Sequence, residues 1–212
     1  PLKVQGPLPP EAPLRKIEQA AGVISAARFP IILAGNGVVR GGAERALVMF
    51  AEKLGIPVAT TFMAKGVIPF THPMSLGTIG LQSRDYIACG FDRADVVIAV
   101  GFDMIEYHPH LWHPRADKKI IHVDARYAEV DTSYILEAGV VGDITSSLER
   151  IAALAQRHPT EHACILRDRI ILEINRCRND ASWPLKPQRI LNDLRTVMDD
   201  EDILVADVGA HK

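Results

Sequence analysis

Four short apolar stretches, each ending at a glycine or an aspartate, constrain the fold of this chain most strongly. They are rich in β-branched residues and comprise residues 31–34 before Gly35, 96–100 before Gly101, 120–123 before Asp124 and 140–141 before Gly142. Strands of this kind are typical of parallel sheets that helices cover on both faces, and the carboxyl ends of such strands form a ligand crevice. The sequence therefore predicts an α/β fold with a doubly wound, mainly parallel, Rossmann-like sheet.

Composition narrows the classes of partner. The 212 residues are 48% hydrophobic and carry 24 Lys and Arg against 26 Asp and Glu, so the chain can bury a core but offers no basic surface for nucleic acid. The 3 cysteines form no Cys-x-x-Cys pattern, and no apolar run has the length of a membrane span. We therefore expect a cytoplasmic protein that acts on small molecules, with no nucleic-acid partner and no membrane partner.

Alternating strand and helix patterns divide the chain into four predicted segments. The proline-rich residues 1–13 are expected to be an extended linker from an upstream domain, and 14–158 a central Rossmann-like domain. Residues 159–184 are predicted to be a helical connector. Residues 185–212 are predicted to begin a further, truncated domain, with an amphipathic helix from Pro187 and a strand near 203–206.

Helix ends and inward faces follow from the same patterns. Gly55 is the expected C-cap of a helix that follows Gly41 and Gly42, and Asp143 is the expected N-cap of a helix from 144 to 158. Periodicity also predicts which apolar residues of the helices point inward, and these include Leu14, Leu154, Ile190, Leu191, Leu194 and Val197.

Longer strings carry a resemblance along almost the entire chain. They are ILAGNG at 32–37, TTFMAKGVIP at 60–69, HP at 72–73, LGTIG at 76–80, ADVVIAVG at 94–101, IIHVD at 120–124 and GDI at 142–144. Taken in this order and spacing, they resemble the central domain of thiamine-diphosphate-dependent enzymes, most of all those of the acetolactate synthase large (catalytic) subunit type. The resemblance implies a doubly wound, mainly parallel, six-stranded Rossmann-like sheet. The tail DVGAH at 207–211 resembles the motif that opens the diphosphate-binding domain of these enzymes.

The resemblance implies an activity for a longer protein. With thiamine diphosphate and Mg, such a transferase decarboxylates pyruvate and adds the two-carbon unit to a second 2-keto acid, in branched-chain amino acid biosynthesis or in the acetoin pathway. The activating glutamate would precede Pro1, and the Gly-Asp-Gly metal motif would follow Lys212. The chain would then contain no catalytic or metal-binding residue and would be inert alone. The family's active sites lie between two subunits, which implies a homodimer or homotetramer and leaves a regulatory subunit open.

The resemblance also implies cofactor-binding positions. Some family members bind FAD in this domain, without a redox role for the flavin. The matching positions are Gly35, Asn36, Gly37, Thr61, Phe62, Met63, Leu76, Gly77, Thr78, Gly101, Asp124, Asp143 and Ile144, and the positions facing the thiamine diphosphate are Val208, Gly209, Ala210 and His211. Two departures argue against FAD here. Ile79 replaces a histidine, and FDMIE at 102–106 replaces an arginine-rich stretch, which removes phosphate donors and adds acidic side chains.

Other interpretations of the same residues stay open. The Gly35-Asn36-Gly37 turn alone could be a tight turn with positive φ, and Asp143 could serve only as a helix cap. Three loop histidines, His108, His110 and His113, are expected to be solvated rather than to bind metal. An NAD-dependent oxidoreductase domain is an alternative, although Arg40 stands where a third glycine is required. Further alternatives are a non-catalytic spacer and relatives such as sulfoacetaldehyde acetyltransferase, glyoxylate carboligase and pyruvate oxidase.

Overall fold

The computed structural model describes residues 9–80, 87–199 and 201–205, and the chain divides into two compact units, residues 1–167 and residues 168–212. The predicted segment limits, including 14–158 for the central domain, remain a prediction. No helix within the described residues has the length and apolarity that a membrane crossing needs.

The first unit alternates strands and helices along the chain. Its elements are α1 (Leu14–Ser25), β1 (Pro30–Ala34), α2 (Asn36–Arg40), α3 (Glu44–Leu54), β2 (Val58–Thr60), a 3₁₀ turn (Phe62–Ala64), β3 (Ser75–Thr78), α4 (Ala88–Arg93), β4 (Val96–Val100), α5 (Pro109–Trp112), β5 (Lys119–Asp124), β6 (Leu136–Val141) and α6 (Ile144–Leu154). A further helix, α7 (Glu161–Asn175), begins in this unit. The division between the units falls within α7.

Within the described residues, one six-stranded sheet forms the centre of the first unit. Its strand order is β3-β2-β1-β4-β5-β6, and every neighbouring pair is parallel, which confirms the predicted fold class. The sequence patterns did not reveal β3. Only Leu76 of its four residues has a large apolar side chain, so no apolar run marks this strand. Its backbone is also irregular, because Gly77 has a φ of 95°.

Alternation along the strands sends side chains into two separate layers. Ile32, Ile98 and Ile121 belong to the main core, which the apolar stripes of α1, α3 and α6 complete. On the opposite face lies a cluster of aromatic rings. Its ring contacts join Phe91, Phe102, Trp112 and Tyr134, with centroid separations of 5.6–6.2 Å. Both faces of the sheet are therefore covered, as the near-continuous apolar strands require.

The helix termini agree with the capping signals. Gly55 ends α3 in the left-handed conformation, with a φ of 70°, and its N–H donates to the Ala51 carbonyl. The Asp143 carboxylate accepts from the Ser146 N–H at 2.7 Å, so it caps α6. Two inward predictions are wrong, because Leu14 and Leu154 are 56% and 53% exposed. Each lies in the first or last turn of its helix, where the neighbouring layer no longer covers the apolar stripe.

Residues at the predicted linker contact the end of β6. The Asp143 N–H donates to the Pro10 carbonyl at 2.9 Å, and Ala12 is 3% exposed. A β-carbon on Gly142 would lie 2.5 Å from the Ala12 nitrogen, so the chain passes β6 closely here.

The described residues of the second unit form the end of α7 and one further helix, α8 (Pro187–Val197). The prediction of an inward face on α8 is wrong, since none of its residues is buried and Ile190, Leu191, Leu194 and Val197 are 37–80% exposed. Residues 203–205 pair with no strand in the part of the chain that the structure describes, so the strand predicted at 203–206 is not formed over these three residues. Ala206 lies outside the described residues. The apolar side chains of α8 and of residues 203–205 are not covered by another element in the described part of this unit.

Candidate functional site

The carboxyl ends of neighbouring strands are joined into one continuous edge. Just past the end of a strand, a backbone N–H donates to a carbonyl at the end of the neighbouring strand in the sheet, at 2.8–2.9 Å. The pairs are Thr61 to Ala34, Gly35 to Val100, Gly101 to Val123 and Gly142 to Asp124. The glycine- and aspartate-tipped ends therefore lie on the same side of the sheet, as parallel strands require.

The centre of this edge is the switch point between β1 and β4, where the chain order of the strands reverses. Two glycines let the two strand ends touch. A β-carbon on Gly37 would lie 2.5 Å from the Gly101 Cα, and one on Gly101 would lie 2.4 Å from the Val38 nitrogen. The Gly37 N–H also donates to the Gly101 carbonyl at 2.7 Å. Backbone packing thus requires both glycines.

The conformations of the turn correct one interpretation of Gly35-Asn36-Gly37. Gly35 is extended, with φ −111° and ψ −178°, and Gly37 lies within α2, so neither adopts a positive φ. Among the switch-point glycines, Gly101 does, with a φ of 59°. The β1 turn therefore uses glycine for close approach and not for left-handed backbone.

The Glu106 carboxylate lies inside the crevice at the switch point. It accepts from the Asn36 N–H, with 3.0 Å to one oxygen and 3.2 Å to the other. It also accepts from the Thr61 hydroxyl in a short contact and from the Asp103 N–H at 3.4 Å. A β-carbon on Gly35 would lie 3.0 Å from one of its oxygens. One half-buried carboxylate thus joins the ends of β1 and β2 to the loop after β4.

The predicted positions on β2 and β3 occupy one end of the edge. Thr61 is fully buried, and Phe62 and Met63 form the 3₁₀ turn, where Met63 is 60% exposed. The hydroxyl of Thr78 pairs with that of Thr60 at 3.0 Å, which links β3 to β2.

Asp124 and Asp143 mark the other end of the edge. Asp124 is buried and accepts from the Arg126 N–H at 3.0 Å, and a β-carbon on Gly37 would lie 2.8 Å from its other oxygen. Asp143 caps α6, and Ile144 is buried in the core. The structure therefore brings Gly35, Gly37, Gly101 and Asp124 together at the switch point and spreads the remaining predicted residues to either side.

A polar cavity that is open to solvent lies beside Asp124. Arg40, Asp103, Arg126 and Tyr134 line it together with His122. The buried His122 ring shares a 3.0 Å hydrogen bond with the Tyr134 hydroxyl through Nδ1, and its Nε2 has no partner among the described residues. Burial lowers the pKa of His122, against the opposing charges of Asp124 and Asp103, and burial raises the pKa of Tyr134. Both side chains are therefore neutral near pH 7.

A second, mainly apolar cavity lies at the opposite edge of the sheet. It is lined at the strand starts by Pro30 and Pro57, and further out by Phe29, Arg93 and His162. Of the predicted cofactor-binding residues that the structure describes, none lines it.

The loop histidines divide into two kinds. His108 and His110 are exposed, as expected, and their Nδ1 atoms lie 2.8 Å apart. The expectation for His113 is wrong, since it is 2% exposed and uses both ring nitrogens, one with the Ser133 carbonyl and one with the Lys118 N–H. The fold of the loop back onto itself buries this ring. Across the described residues, no group of three or more His, Cys, Asp or Glu side chains is arranged to hold a metal ion.

The comparisons with known proteins identify the family. The family described as "Thiamine pyrophosphate enzyme, central domain" matches residues 17–151. The chain belongs to this family. The match covers the sheet from α1 to α6, including every strand end described above. The predicted residues Val208, Gly209, Ala210 and His211 lie outside the described residues, and the cofactor-binding role of the other positions remains a prediction.

Individual relatives agree with the family match. A protein of Methanocaldococcus jannaschii named "Probable acetolactate synthase large subunit" is 34% identical over 209 residues, which cover 93% of this chain and 35% of that protein. An acetolactate synthase of Mycobacterium bovis is 29% identical and is covered over 33% of its length, with 93% of this chain aligned. The chain thus spans about a third of the length of these relatives.

A solved structure agrees with the fold. It is that of a protein from Mycobacterium smegmatis described as a thiamin diphosphate-dependent enzyme, and it superposes with a TM-score of 0.59. The similarity covers 74% of this chain and 31% of that one at 24% sequence identity, a level at which it supports the fold alone.

Proposed function

We propose that this chain is the central domain of a thiamine-diphosphate-dependent carboligase of the acetolactate synthase type. The observation that carries the proposal is the family match over residues 17–151, together with relatives named acetolactate synthase that align with 93% of the chain. The full-length protein decarboxylates pyruvate and joins the two-carbon unit to a second 2-keto acid. We place it in the cytoplasm as a homodimer or homotetramer.

The chemistry in this proposal belongs to the cofactor. Thiamine diphosphate with Mg²⁺ supplies the electron sink that 2-keto acid decarboxylation requires. The described residues of this chain provide the scaffold, which is a parallel sheet whose strand ends are joined by backbone hydrogen bonds. By itself the chain is catalytically inert in this proposal, since the cofactor-activating and metal-binding groups are expected in other parts of the enzyme.

Two observations bear on the alternatives. The chain belongs to the central-domain family, which favours the carboligase over an NAD-dependent oxidoreductase, and Arg40 stands at the third glycine position of the dinucleotide fingerprint. Sulfoacetaldehyde acetyltransferase, glyoxylate carboligase and pyruvate oxidase belong to the same enzyme class, so substrate choice must be measured. A spacer role for this domain is compatible with the carboligase.

The test is an activity assay on the full-length gene product. The protein is incubated with thiamine diphosphate, Mg²⁺ and one substrate at a time: pyruvate, pyruvate with 2-ketobutyrate, glyoxylate or sulfoacetaldehyde. We expect acetolactate and CO₂ from pyruvate, no product when thiamine diphosphate is omitted, and none from the 212-residue chain alone. Turnover of glyoxylate or sulfoacetaldehyde without turnover of pyruvate would replace the acetolactate synthase assignment.

A further inference from the structure

We propose that Glu106 closes the strand-end crevice with a carboxylate of the protein itself, so that this domain binds neither FAD nor ADP. The carboxylate serves instead as an internal pin between β1, β2 and the loop after β4. This inference concerns only residues of the described chain and stands independently of which 2-keto acid the enzyme uses.

The length of the edge limits which ligand could touch all the predicted positions. They extend from Leu76 on β3 to Asp143 beyond β6, the two outer strands of the sheet. Five strand spacings of about 4.8 Å make this distance about 24 Å. A ligand that touched both ends would have to be as long as an extended dinucleotide. It would cross the switch point between β1 and β4, where the backbones of Gly37 and Gly101 meet.

The polar groups at that crossing are already used within the protein. In nucleotide-binding sheets the amides of the first strand-to-helix turn face the phosphates. Here the Asn36 N–H donates to Glu106 at 3.0 Å, and the Thr61 hydroxyl donates to the same carboxylate. A phosphate would have to break both bonds and leave a half-buried carboxylate without these donors.

The negative charge of Glu106 disfavours a bound phosphate, as does its use of the hydrogen-bond donors. Phosphate oxygens at the crossing would lie within a few ångströms of the Glu106 carboxylate, and like charges at such distances repel strongly in a partly buried site. Asp103, whose N–H donates to Glu106 at 3.4 Å, brings a second carboxylate to the crossing. The buried Asp124 lies further along the edge, beside the cavity that Arg40 and Arg126 also line. The residues present therefore do not fit a dinucleotide phosphate.

Ligand titration of the full-length protein tests the proposal. FAD, ADP and adenosine are titrated by flavin fluorescence or calorimetry into the wild type, Glu106→Gln, Glu106→Ala and the control Glu129→Gln. Glu129 lines the neighbouring cavity and is exposed, so its substitution changes the charge without touching the pin. We expect both Glu106 variants to bind FAD and ADP at least about tenfold more tightly than the wild type and the control do, with no change for adenosine, which lacks phosphate.

A second measurement examines the pin without any ligand. Hydrogen exchange of the Asn36 amide is expected to accelerate in Glu106→Ala and to stay slow in Glu106→Gln, whose amide oxygen still accepts a hydrogen bond. Should Glu106→Ala fail to fold, Glu106→Gln still provides the titration. Flavin that copurifies with the wild type, equal FAD affinity in wild type and Glu106→Gln, or unchanged Asn36 exchange in Glu106→Ala would each overturn the proposal.

Discussion

Replacing Gly101 by alanine tests whether backbone contact at the switch point holds the sheet together. Gly101 has a φ of 59°, and its added β-carbon would lie 2.4 Å from the Val38 nitrogen and 2.6 Å from the Gly37 carbonyl carbon. Both contacts are with backbone, which cannot rotate away as a side chain can. Gly42 provides a matched control, because its φ is 60° and nothing lies within 4 Å of its β-carbon position.

The two substitutions separate conformational strain from steric overlap. A left-handed non-glycine residue costs about 1–2 kcal/mol, and this cost applies equally to Gly42→Ala and Gly101→Ala. The entropy that alanine removes from the unfolded chain also acts equally on both. Overpacking adds about 1–3 kcal/mol, and only Gly101→Ala incurs it. We therefore expect Gly101→Ala to lose about 1–3 kcal/mol more than Gly42→Ala.

Thermal and urea unfolding followed by circular dichroism measures this difference. For a chain of this size, each kcal/mol lowers the midpoint temperature by about 2–4 °C. Urea unfolding must give the same slope for both variants, so that the change in midpoint reports stability. Equal losses for Gly101→Ala and Gly42→Ala would refute the argument that close backbone approach requires Gly101.

Three further outcomes are expected. Asp143→Ala loses about 1 kcal/mol of unfolding free energy with the α6 cap, whereas Asp143→Asn stays near wild type. Tyr134→Phe loses about 1–3 kcal/mol because it removes the hydroxyl bonded to the buried His122 ring, and an unchanged urea midpoint would contradict this. Burial lowers the pKa of His113 in the folded protein below its ordinary value of 6.5. As the pH drops below 6.5, His113 is therefore protonated more readily in the unfolded chain than in the folded one, and the free energy of unfolding decreases. His113→Gln should flatten that dependence between pH 7 and 5, and an unchanged slope would contradict the assignment.

The sheet was largely predictable because parallel strands leave a strong mark on sequence. Strands buried on both faces need continuous apolar runs, and β1 and β4 show such runs, each with all five residues buried. The two edge strands, β3 and β6, were harder to recognise because they lack such continuous buried runs. β3 contains a glycine with positive φ, and the last four residues of β6 alternate between buried and half-buried positions at the sheet edge. Their membership in the sheet depends on pairing partners that no local pattern contains.

The candidate site was predictable in its location but not in its contacts. Glycines at strand ends indicated a crevice, yet the atoms that approach Gly37 come from Gly101, far along the chain. Acidic residues after β4 predicted poor phosphate binding, because charge can be counted from sequence. The bond between the Glu106 carboxylate and the Asn36 N–H joins residues 70 positions apart, so it depends on the assembled sheet.

The second unit shows what an apolar pattern leaves undetermined. Periodicity on α8 correctly identifies which residues share a face, since Ile190, Leu191, Leu194 and Val197 recur at helical spacing. It carries no information about what covers that face, and these side chains are 37–80% exposed. The same holds for residues 203–205, because a β-branched run becomes a strand only where a neighbouring strand supplies its hydrogen bonds. Burial of an apolar face requires a second surface that packs against it, and the sequence of α8 specifies only its own face.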